Sequence, residues 1–107
     1  MTKTIDEVRD IISGKAAFYG FGTEATASSI LPQILGRVTG FRVWLAVEDG
    51  LRGEFRVKVE SHIAVAGGSP SPEELLEAAD EISRAADLTA ELQAMRLSFG
   101  QEELRKL

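Results

Sequence analysis

Apolar and polar residues alternate through the middle of the chain. Between Phe41 and Val65 two runs, FRVWLAV and EFRVKVESHIAV, flank the segment EDGLRG. Phe41, Val43, Leu45 and Val47 fall on one face of the first run, and Phe55, Val57, Val59, Ile63 and Val65 on one face of the second. Successive side chains on a strand point to opposite faces, so the pattern predicts a β-hairpin over 41–65 with one core face and one wet face. The wet face carries Arg42, Trp44, Ala46 and Glu48, then Glu54, Arg56, Lys58, Glu60 and His62. Two registers suit the turn. One tipped by Asp49-Gly50 sets Arg42 opposite Arg56, and a loop from Asp49 to Gly53 sets Arg42 opposite Glu60. They differ by an even step, so both keep the apolar faces together.

Helical spacing replaces alternation on either side. Ile5, Val8, Ile11 and Ile12 form a stripe; Thr4 with Glu7 is a capping box and Gly14 suits the position that ends a helix, which predicts a helix over 4–13. Ala27, Ile30, Leu31, Ile34, Leu35 and Val38 repeat like a buried helix face and predict a second helix over 24–38. Pro32 lies inside that segment, so the helix either kinks or starts near Ser29. After the breaker GGSPSP, Ser71 and Glu74 form another capping box with Pro72 in the first helical position. The predicted third helix, 72–86, buries Leu75, Ala78, Ala79, Ile82, Ala85 and Ala86. Residues 87–100 fit a helix through Leu88, Leu92, Met95 and Phe99, or a strand alternating at Met95, Leu97 and Phe99; propensity favours the helix. Residues 15–22, KAAFYGFG, fit a short strand or an aromatic turn.

The fold expected is α+β: a small antiparallel sheet centred on the hairpin 41–65, packed by amphipathic helices. If 15–21 and 90–99 are both strands, the alternative is a ferredoxin-like βαββαβ sandwich after an N-terminal helix. With 107 residues, 44% hydrophobic and 27% charged, the chain forms one domain, 1–107, with a core of its own. No stretch approaches the ~20 apolar residues of a bilayer span. The N-terminus has no apolar signal region, so a cytoplasmic location is expected.

Charge and chemistry narrow the function classes. The net charge is −5, and residues 71–107 hold nine acidic side chains against four basic. An acidic chain lacks the basic footprint that nucleic acid requires. The absence of cysteine excludes thiol nucleophiles and thiolate metal sites. Gly20-x-Gly22 lacks the third glycine and the parallel βαβ context of a dinucleotide loop, and no phosphate-loop motif is present. His62, the lone histidine, shares a strand face with Glu60; the pair suits a general base, but a single histidine with no nucleophile beside it is ordinary surface chemistry. No catalytic, cofactor or metal residues are assigned.

Trp44 is the sharper anomaly, the only tryptophan and placed on the wet face among arginines. Either a helix covers that face and Trp44 is a core or edge residue, or it is exposed among arginines; tryptophan and arginine are enriched at binding hot spots. The expected function is a non-catalytic protein–protein interaction module, an assembly subunit, adaptor or inhibitor. It would act through Arg42, Trp44, Arg56, Lys58 and His62 on a protein partner or a second copy of the chain. The alternative is a small-molecule binder or enzyme with a pocket near Phe18, Tyr19 and Phe21.

Overall fold

The structure, a computed structural model, describes residues 3–25, 30–36, 41–63 and 68–106. In chain order the elements are helix α1 (Ile5–Phe18), strands β1 (Gly22–Glu24), β2 (Gln33–Leu35), β3 (Phe41–Asp49) and β4 (Glu54–Ile63), helix α2 (Pro72–Met95), strand β5 (Ser98–Gly100) and a 3-10 helix (Gln101–Lys106). The strands form one antiparallel sheet in the order β1-β2-β3-β4-β5. The class is α+β. A meander of sequential antiparallel strands replaces the ferredoxin-like alternative.

Both predicted capping boxes form. Thr4 accepts from the Glu7 amide and Ser71 from the Glu74 amide, with each glutamate bonding back to the cap. The predicted ends differ. Helix α1 runs through Gly14 to Phe18, because nothing at Gly14 forces the chain to turn and Ala16 continues the buried stripe of Ile5, Val8 and Ile12. The left-handed residue is Gly20, at φ 82°, which leaves no strand over 15–21. Its amide donates to the Ala17 carbonyl, and the Phe21 amide to that of Ala16 at 2.8 Å. These are the two bonds of a Schellman motif.

Among the described residues of 24–38 there is no helix. Residues 26–29 and 37–38, with the hydroxyls of Thr26, Ser28 and Ser29, lie outside the described residues; of the rest, Glu24 ends strand β1 and Gln33–Leu35 form strand β2. Pro32 decides this locally, since it removes an amide and biases Leu31 towards extended backbone. Ile34 pairs with Val43 in the sheet and both are fully buried. Continuing that register sets Leu45 opposite Pro32, which cannot donate. The Gln33 carboxamide substitutes for the missing strand: Oε1 accepts from the Leu45 amide at 2.9 Å and Nε2 donates to the Leu45 carbonyl at 3.1 Å. Gln33 is 2% exposed, so these bonds are made away from water.

Helix α2 continues past residue 86, and of the predicted buried stripe only Ala85 is fully buried. Ala85, Leu88, Thr89 and Leu92 are buried, whereas Leu75 and Ile82 are 56% and 41% exposed. The helix therefore docks from Glu81, 3% exposed, onwards, and its first turns stand clear. Arg96 ends it in the left-handed conformation, and the chain then enters β5. The ambiguous segment 87–100 thus contains both helix and strand.

The core joins one face of the sheet (Ile34, Val43, Leu45, Val59, Phe99) to Val8, Ile12 and Ala16 of α1 and Ala85, Leu88 and Leu92 of α2. Both helices cover that face. The last turn of chain closes on the first: Glu103 Oε1 accepts the Ile5 amide at 3.0 Å, and Lys3 bridges to Phe99. An acidic side chain at a helix N-terminus satisfies an orphan amide and complements the helix dipole.

A second tie links the helices. Glu91 of α2 pairs with Lys15 of α1 and accepts the Tyr19 hydroxyl at 2.6 Å. The hydrogen bond from Lys15, then that from Tyr19, hold the Glu91 carboxyl below its ordinary range. The hydrogen bond to Glu91, then desolvation, raises the Tyr19 hydroxyl above its ordinary value of 10.0. A depressed carboxylate contributes stability above its unfolded pKa and loses it as pH falls through the folded value; a raised phenol contributes below its unfolded pKa and loses it as pH rises through the folded value. Tyr19 is the only tyrosine, so ultraviolet titration of phenolate reads it alone. It is expected to ionise above free tyrosine in the wild type and to return towards it in Glu91→Gln. An unshifted wild-type titration would refute the tie.

Candidate functional site

The hairpin adopts a third register. Arg42 faces His62, Trp44 faces Glu60, Ala46 faces Lys58 and Glu48 faces Arg56. Neither expected pairing, Arg42 with Arg56 or Arg42 with Glu60, is made. Four residues, Gly50 to Gly53, form the loop, closed by the Gly50 amide on the Glu54 carbonyl at 2.9 Å. Arg52 and Gly53 take φ of 59° and 75°, a conformation that sequence alone assigns to glycine but not to arginine. The observed register differs from both expected ones by even steps, so the faces remain as predicted. Phe41 and Ile63 pair by backbone, and Val65 lies outside the described residues.

The outer face of β3 and β4, away from both helices, carries all five candidate residues. Arg42, Arg56, Lys58 and His62 are exposed and Trp44 is half-buried. Glu60 lies between Lys58 and His62, 2.9 Å from the ammonium and 3.5 Å from His62 Nε2. The bond to Lys58 chiefly lowers the Glu60 pKa, and the same bond raises that of Lys58. The stronger contact of Glu60 is therefore with a cation rather than with the histidine. Lys58 is a diagonal neighbour of Trp44, while Arg56 is one pair further along. Arg42, Arg56, Lys58 and Glu48 are exposed on this face, and Glu60, opposite Trp44, has a 42% exposed side chain. A tryptophan amid them offers an apolar platform with a rim of mixed charge.

A second concavity lies between the first turns of α2 and the turn after α1. It has a volume of about 500 Å³. Phe21, Leu35 and Leu76 supply its apolar walls, and Glu77, Asp80, Glu81 and Arg84 its polar ones. Of the aromatics expected to line a pocket, Phe21 does so; Phe18 is 79% exposed elsewhere and Tyr19 is turned to Glu91. Arg84 fastens the turn to α2. Its Nη1 donates to the Tyr19 carbonyl at 2.6 Å, its Nε to Asp80 at 2.9 Å, and its guanidinium lies 5.0 Å from the Phe21 ring centroid. The positive φ of Gly20 favours glycine there; a Cβ would come within 2.9 Å of Arg84 Nη1, the far end of a side chain that can shift aside. The groove is not legible in the sequence because its α2 residues, Leu76, Glu77, Asp80, Glu81 and Arg84, lie outside the stripe expected to be buried, and only the docking of α2 sets them against Phe21 and Leu35.

The arrangement defines a small α+β protein with two helices on one sheet face and a polar-aromatic face opposite that neither helix covers. The chain matches no protein-family model, no curated protein and no solved structure. Among the described residues there is no cluster of three or more acidic or histidine side chains that would hold a metal ion. No helix among them is long and apolar enough to cross a membrane.

Proposed function

We propose that the chain is a non-catalytic protein–protein interaction module, an assembly subunit, adaptor or inhibitor, that binds a protein partner through the outer face of β3 and β4. The observation that carries this reading is Trp44, half-buried among the exposed side chains of Arg42, Arg56, Lys58 and His62 on a sheet face that neither helix covers. A large aromatic with a desolvated flank and a charged rim is the usual composition of a hot spot. Immobilised wild-type chain is expected to retain a partner from an extract of the native host. Trp44→Ala should weaken that retention by about 30-fold, the scale of a hot-spot truncation of about 2 kcal/mol. Circular dichroism should stay unchanged, because Trp44 lies outside the core. Equal retention by both chains would end this reading. A small-molecule reading draws on the groove beside Phe21, and a saturable ligand isotherm abolished by filling the groove with Gly22→Trp would favour it instead.

A further inference from the structure

The loop that joins β3 to β4 and the groove beside α2 have matching chemistry. Leu51 at the loop tip is 82% exposed, the most exposed large apolar side chain among the described residues. Arg52 beside it is also exposed and is held at φ 59°, a strained conformation for any residue but glycine. The tip thus presents a leucine and a cation together at the end of a rigid hairpin. The groove answers both. Phe21, Leu35 and Leu76 line it with apolar surface, and Glu77 and Asp80 make its rim acidic. Leu76 is 73% exposed, so apolar surface lies open on this side too. Within one molecule the tip packs elsewhere, with the Gly53 carbonyl accepting from the Gln101 amide.

We propose that the groove is the docking site for the Leu51-Arg52 tip of a second copy of this chain. Leu51 enters between Phe21, Leu35 and Leu76, and the Arg52 guanidinium reaches the carboxylate of Glu77. The arginine already in the groove, Arg84, is bound to Asp80 and to the Tyr19 carbonyl, so it does not compete for Glu77. This contact joins two different patches, so it propagates head to tail unless a two-fold pairing closes it. It goes beyond the partner reading above and uses none of the same residues.

A charge swap tests it in solution. Arg52→Glu places like charges at the contact, and so does Glu77→Arg; each alone is expected to weaken self-association at least about tenfold. Mixing the two variants restores association, because every tip then has one groove of opposite charge available, whether pairs close or run head to tail. Sedimentation of each variant and of the equimolar mixture reads this directly, with circular dichroism to verify folding. Leu51→Ser is expected to weaken association without changing charge. A wild-type chain that stays monomeric at the highest soluble concentration would overturn the proposal. So would an Arg52→Glu variant that associates as the wild type does, or a mixture no better than its components. None of these variants alters the Trp44 face, so retention of a different protein partner is scored independently of self-association.

Discussion

Phe99→Ala is expected to destabilise the fold by about 3–5 kcal/mol, the range for removing a fully buried aromatic side chain. The ring is wholly buried in the three-residue strand β5 and stacks at a tilt on Phe55, with 5.9 Å between centroids. It stands where three parts of the chain meet. Its backbone pairs with Phe55 on one side and bridges to Lys3 on the other, and Leu97 beside it accepts the Val57 amide at 2.9 Å. The cavity left by alanine cannot close by shifting β5 without breaking those bonds. A domain is typically stable by only about 5–15 kcal/mol, so one such cavity removes a large part of the margin. Urea unfolding followed by circular dichroism should show the midpoint falling with little change in slope. A midpoint within error of the wild type would mean that β5 is not part of the core.

Gln33→Leu is expected to cost about 2–5 kcal/mol although it replaces a polar residue with an apolar one of similar size. The carboxamide is the partner of both backbone groups of Leu45, in a region excluded from water. Removing it leaves a buried amide and a buried carbonyl unsatisfied, at about 1–3 kcal/mol each, partly offset by burying more apolar surface. Gln33→Glu retains an acceptor for the Leu45 amide but gives up the donor. A stability series with leucine below glutamine measures the substitution for Pro32 that the side chain performs. Equal stability of Gln33→Leu and wild type would show that water replaces it.

Strong local signals in the sequence were legible and weak ones were not. Thr4 with Glu7 and Ser71 with Glu74 mark helix starts because each is a self-contained pair of hydrogen bonds. The two faces of the hairpin follow from a period of two that spans nine residues or more. Its register does not, because it depends on Arg52 adopting a left-handed conformation that its residue type disfavours. Strand β2 is too short, at three residues, to display a period, and Ile30, Leu31, Ile34 and Leu35 happen to match a helical one. Helix α2 carries two competing apolar stripes. Leu75, Ala79 and Ile82 define one and Ala85, Leu88 and Leu92 the other, and only tertiary packing selects the second. The Trp44 face was legible as a face, since strand parity suffices; the groove was not, since it depends on which stripe of α2 docks.

The bond from the Ile5 amide to Glu103 has a kinetic side. It spans 98 positions, and Phe99, which locks the core, bridges to Lys3 across nearly the same separation. Local signals can start α1, but its first turn is finished by a residue that arrives from the far end of the fold. Contacts of such long range incur loop-closure entropy before they return any stabilisation, and they slow folding relative to hairpins and isolated helices. The β3–β4 ribbon can therefore assemble early and independently, whereas α1, β5 and the 3-10 helix consolidate together as a late, mutually dependent unit.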